Sequence, residues 1–218
     1  MNDLTGERIG FVVTGSFCTF SAAFAQAKLL REAGAELTPI FSEHAAAIDT
    51  RFGTAAERVA ELEEICGKPA IRSIAQAEPL GPRNLLDLLV VAPCTANTAA
   101  KLANGITDTT ATMAVKSMLR RQKPIVLAIA TNDALRASAK NIGLLLTRST
   151  ITLCPCGRTH RRRSRLPLVA DFHEAAGNGG SCTGRQTDPA NFRVGGTAAK
   201  ILRYAILPPY FFQCHVIY

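Results

Sequence analysis

The chain has 218 residues, a formal net charge of +8 and 47% hydrophobic residues, with no tryptophan. This length is enough to bury one full core, or to form one domain followed by a tail. No apolar run approaches the about 20 residues that a membrane span needs, and polar residues precede the first apolar run. We therefore expect a cytoplasmic, alanine-rich α/β protein with no membrane segment and no signal peptide.

The positive charge is concentrated in the last third of the chain. Residues 1–148 carry 16 Lys and Arg against 14 Asp and Glu, whereas residues 149–218 carry 9 against 3. The run from Arg158 to Arg165 is of a kind that binds nucleic acids or anionic surfaces. Because no stacking aromatic side chains are interleaved with it, we interpret it as an exposed basic run and predict no nucleic-acid partner.

Cysteine and histidine side chains cluster in the same region. Cys154 and Cys156 are one residue apart, and His160, His173 and Cys182 follow. The paired C-x2-C spacing of a zinc site is absent. No metal site is therefore predicted.

Apolar runs and helical segments alternate through the first two thirds of the chain. The apolar runs predict buried strands at residues 8–13, 36–41, 86–92 and 124–130. The segments between them predict helices at 21–33, 55–66 and 109–121, a loop and helix at 95–104, and a further helix from Ala134. This alternation predicts a three-layer, doubly wound α/β sandwich with a parallel sheet, a Rossmann-like fold.

The periodicity ends near residue 148. Only Thr150 to Leu153 has the character of a strand, and the remainder is rich in Arg, Gly and Cys without sustained periodicity. We therefore predict an α/β domain over residues 1–147 and an irregular basic tail over 148–218.

Two of the predicted strands lead into loops with ligand-binding character. Thr14, Gly15 and Ser16 follow the first strand, where a glycine and a helix N-terminus suit a phosphate. The loop has neither the G-x-G-x-x-G spacing nor the Gly-Lys-Ser/Thr of a P-loop, so the dinucleotide fingerprint is missing. A simple helix cap is the alternative interpretation of this loop.

The other loop of this kind follows the most apolar strand and offers more hydrogen-bonding side chains. Pro93 comes directly after the run that ends at Ala92, and we expect it to set the direction of the exit. Thr95, Asn97 and Thr98 are suited to hydrogen-bond a planar heterocycle or a ribityl chain. For any one of these residues, capping of a helix that starts near Thr98 is the alternative.

Three charged or titratable residues lie near these loops. Asp108 is suited to contact a ligand or to cap the next helix, and capping is our interpretation. Lys101 is suited to meet a phosphate or to lie on a solvated helix face, and we favour the solvated face. His44 follows the second strand, where a general base or a surface histidine are the alternatives, the surface position being preferred.

These motifs, in this order, resemble the flavoprotein superfamily of FMN-dependent cysteine decarboxylases and flavin prenyltransferases. Members of that superfamily have a Gly-Ser loop after the first strand, like Thr14-Gly15-Ser16. They also have an Ala-Pro-x-(Thr/Ser)-Ala-Asn-Thr motif, like Ala92 to Thr98, and a Pro-Ala-Met-Asn loop at the place of Ala130 to Asp133. In this chain Thr131 replaces the Met of that loop, and the decarboxylases' catalytic histidine has no counterpart.

Within the superfamily, the chain is most similar to the B subunits of dipicolinate synthase over residues 7 to 146. The similarity is carried by Ile9–Phe11, Thr14–Thr19, Thr50–Gly53, Ala77–Pro82, Gln122–Pro124 and Thr131–Asp133. It implies participation, during endospore formation, in the NADP-linked oxidation of dihydrodipicolinate, or of its hydroxytetrahydro precursor, to dipicolinate. The A subunit of the synthase would be the partner and would hold the NADP, and the location would be the mother-cell cytoplasm.

The resemblance also implies a flavin pocket, a homo-oligomer and a dicarboxylate substrate. The pocket residues that match the family motifs are Gly15, Ser16, Ser42, Pro93, Thr95, Ala96, Asn97 and Thr98, and Asn132 is the candidate catalytic residue. FMN is the implied cofactor. The alternatives are a stand-alone FMN-dependent decarboxylase or prenyltransferase, and a non-catalytic protein that stabilises the A subunit.

Beyond residue 147 the resemblance survives only in islands, namely Leu168–Phe172 and Gly184–Gln186. Our hypothesis is that the coding sequence is read out of frame between them. Peptide masses across Arg158 to Arg165, together with resequencing of the gene, test this hypothesis.

Overall fold

The computed structural model of the protein describes residues 4–154, 156–158 and 168–170. Within them, seven strands form one sheet, in the order β2-β1-β3-β4-β7-β6, with β5 also paired to β4. The strands are β1 (Arg8–Val13), β2 (Glu36–Phe41), β3 (Leu88–Thr95), β4 (Ile125–Thr131), β5 (Ile151–Leu153), β6 (Cys156–Arg158) and β7 (Leu168–Ala170).

The first five strands are parallel, and the last two are antiparallel to their neighbours. Ile125 to Leu127 of β4 pair with β5, and the next part of the same edge, Ala130 and Thr131, pairs with β7. The sheet therefore continues past residue 147. Residues 159–165 of the Arg-rich run, together with His160, His173 and Cys182, lie outside the described residues.

Seven α-helices are described. They are α1 (Phe20–Glu32), α2 (Glu43–Ala47), α3 (Ala55–Cys66), α4 (Ile74–Ala77), α5 (Ala96–Ala103), α6 (Thr110–Leu119) and α7 (Ala139–Leu146). Short 3-10 turns precede α1, at Phe17–Thr19, and follow α4, at Glu78–Leu80. In the part of the chain that the structure describes, no helix is both long and apolar enough to span a bilayer.

The strands divide their side chains between two hydrophobic cores, which makes the three layers. Val90 and Val126 belong to the core on the side of α1 and α3, whereas Val91 and Ile125 belong to the core on the side of α5, α6 and α7. Because successive strand side chains point to opposite faces, a strand that is apolar throughout must be covered on both. The predicted α/β sandwich is confirmed.

Local signals account for the elements that were predicted most closely. Helix α3 begins after Thr54, whose hydroxyl accepts the Glu57 N–H while the Glu57 carboxylate accepts the Thr54 N–H, a capping box. It ends at Gly67, which adopts the left-handed conformation with φ 65°. These signals are contiguous in sequence, so the predicted range 55–66 is confirmed.

Three predicted boundaries are wrong. Strand β3 does not end at Ala92 but continues through Pro93 to Thr95, because the register against β4 shifts between Val91 and Cys94. Such a bulge accommodates a proline, which has no N–H for the ladder. The next helix accordingly begins at Ala96 rather than near Thr98.

The helix predicted from Ala134 begins at Ala139. Residues 134–138 form turns instead, because the backbone carbonyl of Asp133 accepts the N–H groups of Arg136 and Ser138. The Asp133 carboxylate also accepts the Ser138 hydroxyl at 2.6 Å. These side-chain and backbone bonds compete with helix formation.

Candidate functional site

The predicted site residues lie along the carboxyl edge of the parallel sheet. Since β2, β1, β3 and β4 are neighbours and run in one direction, the loops after them line up in that order. Ser42, Gly15, Thr95 and Asn132 follow or end these four strands. This is the edge at which open α/β sheets bind ligands.

Thr14 joins the loop after β1, called the first loop, to the end of β3 and the start of α5, residues 93–98, called the third loop. Its buried hydroxyl donates a hydrogen bond to the Pro93 carbonyl at 2.8 Å and accepts one from the Thr95 N–H at 3.0 Å. Its own N–H also donates to the Pro93 carbonyl, at 3.3 Å. The bulge in β3 is therefore held against the end of β1, which places the two loops side by side.

The first loop presents groups that the described part of the chain leaves uncommitted. Ser16 precedes the helical turn at Phe17, but its side chain makes no capping hydrogen bond. A Cβ added at Gly15 would meet nothing closer than the Phe17 ring at 3.7 Å. The packing of this chain does not require a glycine there, so the open space is available to a ligand that approaches the backbone.

In the third loop, the Thr95 hydroxyl caps helix α5, whereas the Asn97 side-chain amide is exposed. Thr95 is the N-cap of α5, since its hydroxyl accepts the Thr98 N–H at 3.2 Å. The same hydroxyl donates to the buried Thr98 hydroxyl at 3.0 Å. Asn97 is exposed, and Ala96 and Thr95 are partly exposed, whereas Pro93 is buried. The Thr95 side chain is therefore used to cap a helix, whereas the Asn97 amide is available to a ligand.

The second loop, after β2, is less accessible than the first and third. Ser42 is buried and caps α2, accepting the Ala45 N–H at 3.4 Å. Its N–H donates to the Val13 carbonyl at 3.0 Å, which ties it to the end of β1. His44, one position into α2, is exposed, as expected for a surface histidine.

The fourth loop, after β4, holds Asn132 between two tethered neighbours. The Asp133 carboxylate accepts the hydroxyls of Ser138 and Thr131, and these bonds lower the pKa of Asp133 below its ordinary value. Asn132 itself is exposed, and no hydrogen bond to its side chain is found within the described residues. Ala130 of β4 pairs with Thr95 of β3, and Asn132 comes two residues after Ala130.

Two polar side-chain contacts, Lys101 with Asp108 and Thr110 with Glu43, lie next to these loops. Neither contact was predicted from the sequence. The Lys101 ammonium donates to both carboxylate oxygens of Asp108 at 2.8 Å, which lowers the Asp108 pKa. The predicted capping role of Asp108 is wrong, because Thr109 caps α6. Lys101 is therefore partly exposed and engaged by this carboxylate.

The second contact joins α2 to α6. The N–H and hydroxyl of Thr110, which is fully buried, both donate to the Glu43 carboxylate, at 2.8 and 2.7 Å. The two residues are 67 positions apart, so no local sequence pattern predicts the contact. Glu43 directly follows Ser42, and this contact therefore holds the second loop in place.

Cys94 lies within the third loop but is inert. Burial raises the pKa of its thiol to about 12, so the thiol is neutral at ordinary pH. Among the described residues, no group of three or more His, Cys, Asp or Glu side chains is arranged to hold a metal ion.

A narrow surface depression, with no room for a water-sized molecule, lies beside the first loop. The residues that line it include Phe17, Phe20, Phe52 and Arg58. It lies between α2, the turn Thr50–Gly53 and the start of α3. The sequence singled out this turn only through its resemblance to one branch of the superfamily.

The Flavoprotein family model matches residues 1–160 of the chain. The B subunit of dipicolinate synthase from Bacillus subtilis strain 168 is 44% identical over 170 residues, which cover 78% of this chain and 85% of that protein. The crystal structure of the dipicolinate synthase B subunit from Bacillus halodurans superimposes with a TM-score of 0.70 at 37% identity, over 77% of this chain and 86% of that one.

A more distant structure shares the fold. The FMN-dependent cysteine decarboxylase SpaF matches with a TM-score of 0.59 at 21% identity, over 94% of this chain and 99% of that chain. The family match, the extent of the identity and the geometry of the carboxyl edge agree. The chain belongs to the flavoprotein family and, within it, to the family of dipicolinate synthase B subunits.

Proposed function

We propose that this chain acts as the B subunit of a dipicolinate synthase. The complex removes two hydrogens from dihydrodipicolinate, or from the dihydrodipicolinate that the hydroxytetrahydro precursor yields by losing water, and forms the aromatic dicarboxylate dipicolinate. NADP⁺ accepts a hydride, and the remaining proton passes to solvent. The observation that carries the proposal is the 44% identity over 170 residues to the Bacillus subtilis protein, of which 85% is covered.

In this proposal the partner, the A subunit of the synthase, holds the NADP. The chain lacks the G-x-G-x-x-G spacing after β1 and has Thr14-Gly15-Ser16 there instead. A division of labour between two proteins accounts for an NADP-linked reaction by a chain without this fingerprint. The mother-cell cytoplasm of a sporulating bacterium is the corresponding location, and a homo-oligomer of B subunits is the expected assembly.

The carboxyl edge fits FMN in its donor chemistry. Gly15 leaves space for close approach, Ser16 has a hydroxyl without a capping bond, and α5 presents its N-terminus beside Asn97. These groups suit a phosphate and a ribityl chain. We assign the FMN contacts to Gly15, Ser16, Ser42, Pro93, Thr95, Ala96, Asn97 and Thr98, with the buried Ser42, Pro93 and Thr98 shaping the site. When bound, FMN supplies a ring that exchanges electrons with a substrate.

Asn132 is the residue we assign to substrate. Its exposed amide has two N–H donors and one acceptor, and its neighbours are tethered by the Asp133 carboxylate. An amide held in this way donates to a substrate carboxylate and orients the ring. The ionised Asp133 would repel a dicarboxylate, so we assign it a positioning role.

Reconstitution tests the proposal. The full chain is mixed with the A subunit of a dipicolinate synthase, and NADPH formation is followed at 340 nm with freshly generated dihydrodipicolinate. We expect dipicolinate only when both proteins are present, and flavin absorbance in the purified chain. Full activity of the partner on its own, or none from the mixture, overturns the proposal.

The Asn97→Ala variant separates a catalytic role from a stabilising one. If the complex forms and the activity falls, the edge takes part in the reaction. If the complex forms with unchanged activity, the chain only stabilises its partner and our site assignment is wrong. Decarboxylation or prenyl transfer by this chain without a partner would establish the stand-alone flavin enzyme instead.

A further inference from the structure

We infer that the outer face of α7, together with the turn before it, is the surface on which the A subunit of the synthase docks. The residues that form it, called the α7 surface, are Leu135, Arg136, Lys140, Gly143, Leu144 and Leu146, all of them exposed. The identity of the partner rests on the proposed function, whereas the place rests on the structure. The surface that binds here is apolar and bordered by Asp or Glu side chains.

Exposed leucines distinguish α7 from the other long helices of the described chain. Leu144 and Leu146 are 51% and 54% exposed, whereas α1, α3, α5 and α6 have no large apolar side chain among their exposed residues. The outward side of a surface helix is normally polar. Single exposed leucines are common, but clustered ones indicate a surface that another protein covers.

Helical spacing brings the exposed residues of α7 to one side. Lys140 and Leu144 are four residues apart and Gly143 and Leu146 are three apart, so the members of each pair are neighbours on the helix surface. Leu145, which points the other way, is fully buried in the core. A Cβ at Gly143 would have nothing within 4 Å, so another chain can approach the helix closely between the two leucines.

The turn before α7 extends this surface and is held in one conformation. The Asp133 carbonyl accepts the Arg136 N–H at 2.8 Å and the Ser138 N–H at 3.4 Å, and the Asp133 carboxylate accepts the Ser138 hydroxyl at 2.6 Å. Leu135, inside this turn, is 46% exposed. A turn that is already ordered loses little conformational entropy when a partner binds.

The charge of this segment selects an acidic partner. Residues 134–150 contain Arg136, Lys140 and Arg148 but no Asp or Glu, whereas residues 1–133 carry 13 Lys and Arg against 14 Asp and Glu. No ion pair to these three cations is found within the described residues. A cationic surface attracts and orients a partner whose own surface is acidic.

The α7 surface also lies where the partner is needed. Asn132, which we assign to substrate, precedes Leu135 by three residues in the same loop. Hydride transfer requires the nicotinamide to be in contact with the substrate, with about 3–3.5 Å between the reacting atoms. A partner that supplies the NADP must therefore reach the carboxyl edge beside Asn132. The α7 surface begins at this edge, so a partner docked on it is within reach of the substrate.

Binding of the full chain to the A subunit, measured by isothermal titration, tests the apolar part of the surface. Leu144→Gln is compared with Leu85→Gln. Leu85 is the matched control, because it is 44% exposed and precedes β3, at the opposite edge of the sheet. We expect the affinity to fall about tenfold in Leu144→Gln and to stay unchanged in Leu85→Gln.

A pair of charge reversals tests the acidic character of the partner. Lys140→Glu is compared with Lys28→Glu, which changes the net charge equally but lies on α1, on the other face of the sheet. We expect about tenfold weaker binding in Lys140→Glu and little change in Lys28→Glu. The difference should shrink in about 0.5 M NaCl, because salt screens exposed charges.

Three results overturn the inference. The first is an unchanged affinity in Leu144→Gln or in Lys140→Glu. The second is an equal loss in both members of either pair. The third is a Leu144→Gln chain that, without the partner, has a lower oligomeric state by light scattering than the unchanged chain, because α7 would then bind a second copy of this chain.

Failure of this inference is distinguishable from failure of the proposed function. If the unchanged chain binds the A subunit and the reconstituted synthase is active, but the α7 variants behave like their controls, the docking surface is wrong and the proposed function stands. If the unchanged chain neither binds nor activates the A subunit, the proposed function is wrong and the docking surface falls with it.

Discussion

The side-chain hydroxyl of Thr14 donates a hydrogen bond of 2.8 Å to the backbone carbonyl of Pro93. The two residues are 79 positions apart, one after β1 and the other inside β3. Because the same hydroxyl accepts the Thr95 N–H at 3.0 Å, a single buried side chain sets the position of the third loop relative to the first.

Replacement of Thr14 by valine removes this link while keeping the shape of the side chain. In the valine variant the Thr95 N–H loses its acceptor and the Pro93 carbonyl loses one of its two donors. We therefore expect the free energy of unfolding to fall by about 1–3 kcal/mol. Urea denaturation followed by circular dichroism measures the change. Thr14→Ser retains the hydroxyl and should recover most of the loss. Equal stability of the valine variant and the unchanged chain would show that the link is dispensable.

Gly15→Ala is expected to affect ligand binding and not folding. The new methyl group would lie 3.7 Å from its nearest neighbour in the described structure, so the chain accommodates it. In a loop that contacts FMN, the methyl group occupies the space of the ligand, and we expect about tenfold weaker FMN binding by flavin fluorescence titration. The control is Gly143→Ala, at an exposed position of α7. An unchanged FMN affinity in Gly15→Ala would remove the first loop from the site.

Glu43→Ala is expected to loosen the junction of α2 and α6. Both donors of the buried Thr110 lose their acceptor, and we expect a loss of about 1–3 kcal/mol in the free energy of unfolding. Glu36→Ala is the control, since the ion pair of Glu36 with Lys68 at 3.4 Å is exposed and contributes about 0–1 kcal/mol. Chemical denaturation of both variants gives the comparison, and similar losses in the two would contradict the assigned role of Glu43.

Gly81→Ala is expected to destabilise the chain strongly. A Cβ there would lie 1.9 Å from the backbone carbonyl oxygen of Ser117, which cannot move without displacing α6. We expect a loss of at least about 3 kcal/mol, or failure to fold. The control Gly143→Ala has nothing within 4 Å of its Cβ and should gain up to about 1 kcal/mol from helix propensity. Thermal unfolding of the two variants measures the contrast, and a Gly81→Ala chain that melts like the unchanged one refutes it.

Asp87 is expected to make the fold sensitive to acid. Hydrogen bonds from the Arg8 side chain, followed by those of the Arg8 backbone and Lys123, lower the pKa of Asp87 to about 2. A carboxyl group with a lowered folded-state pKa stabilises the fold above its ordinary pKa near 4, and this contribution is lost as the pH falls toward 2. At most about 2 kcal/mol is involved, because the side chain is 27% exposed.

The unfolding free energy of the unchanged chain and of Asp87→Asn, measured between pH 6 and pH 2, checks this expectation. The asparagine variant should be less stable at pH 6, and the difference should shrink as the pH approaches 2. Parallel curves over the whole range would mean that another carboxyl group causes the acid sensitivity.

Much of the fold was predictable because its signals are local. The ranges of β1, β2 and α3 follow from apolar runs and from the caps at Thr54 and Gly67, which act within a few residues. The end of β3 was missed because the bulge at Ala92 and Pro93 depends on the register with β4. The start of α7 was missed because Asp133 binds Ser138, five residues away, instead of allowing a helix to begin.

Some features of the candidate site were also predictable from local sequence, and others were not. The residue types of the loops, and the order of the motifs, point to a flavoprotein pocket from the sequence alone. Whether a given hydroxyl caps a helix or remains uncommitted could not be predicted, since Thr95 and Ser16 precede helical segments alike, and only Thr95 makes a capping bond. The division of the chain at residue 147 and the out-of-frame hypothesis stay predictions.

The sequence by itself determined the layered α/β fold and the family, because buried strands, helix caps and ordered motifs are written in neighbouring residues. Only the tertiary structure decided which loops meet and what surrounds them. The links from Thr14 to Pro93 and from Glu43 to Thr110 join residues far apart in the chain. Such contacts arise from the packing of the sheet and its helices, and no local pattern encodes them.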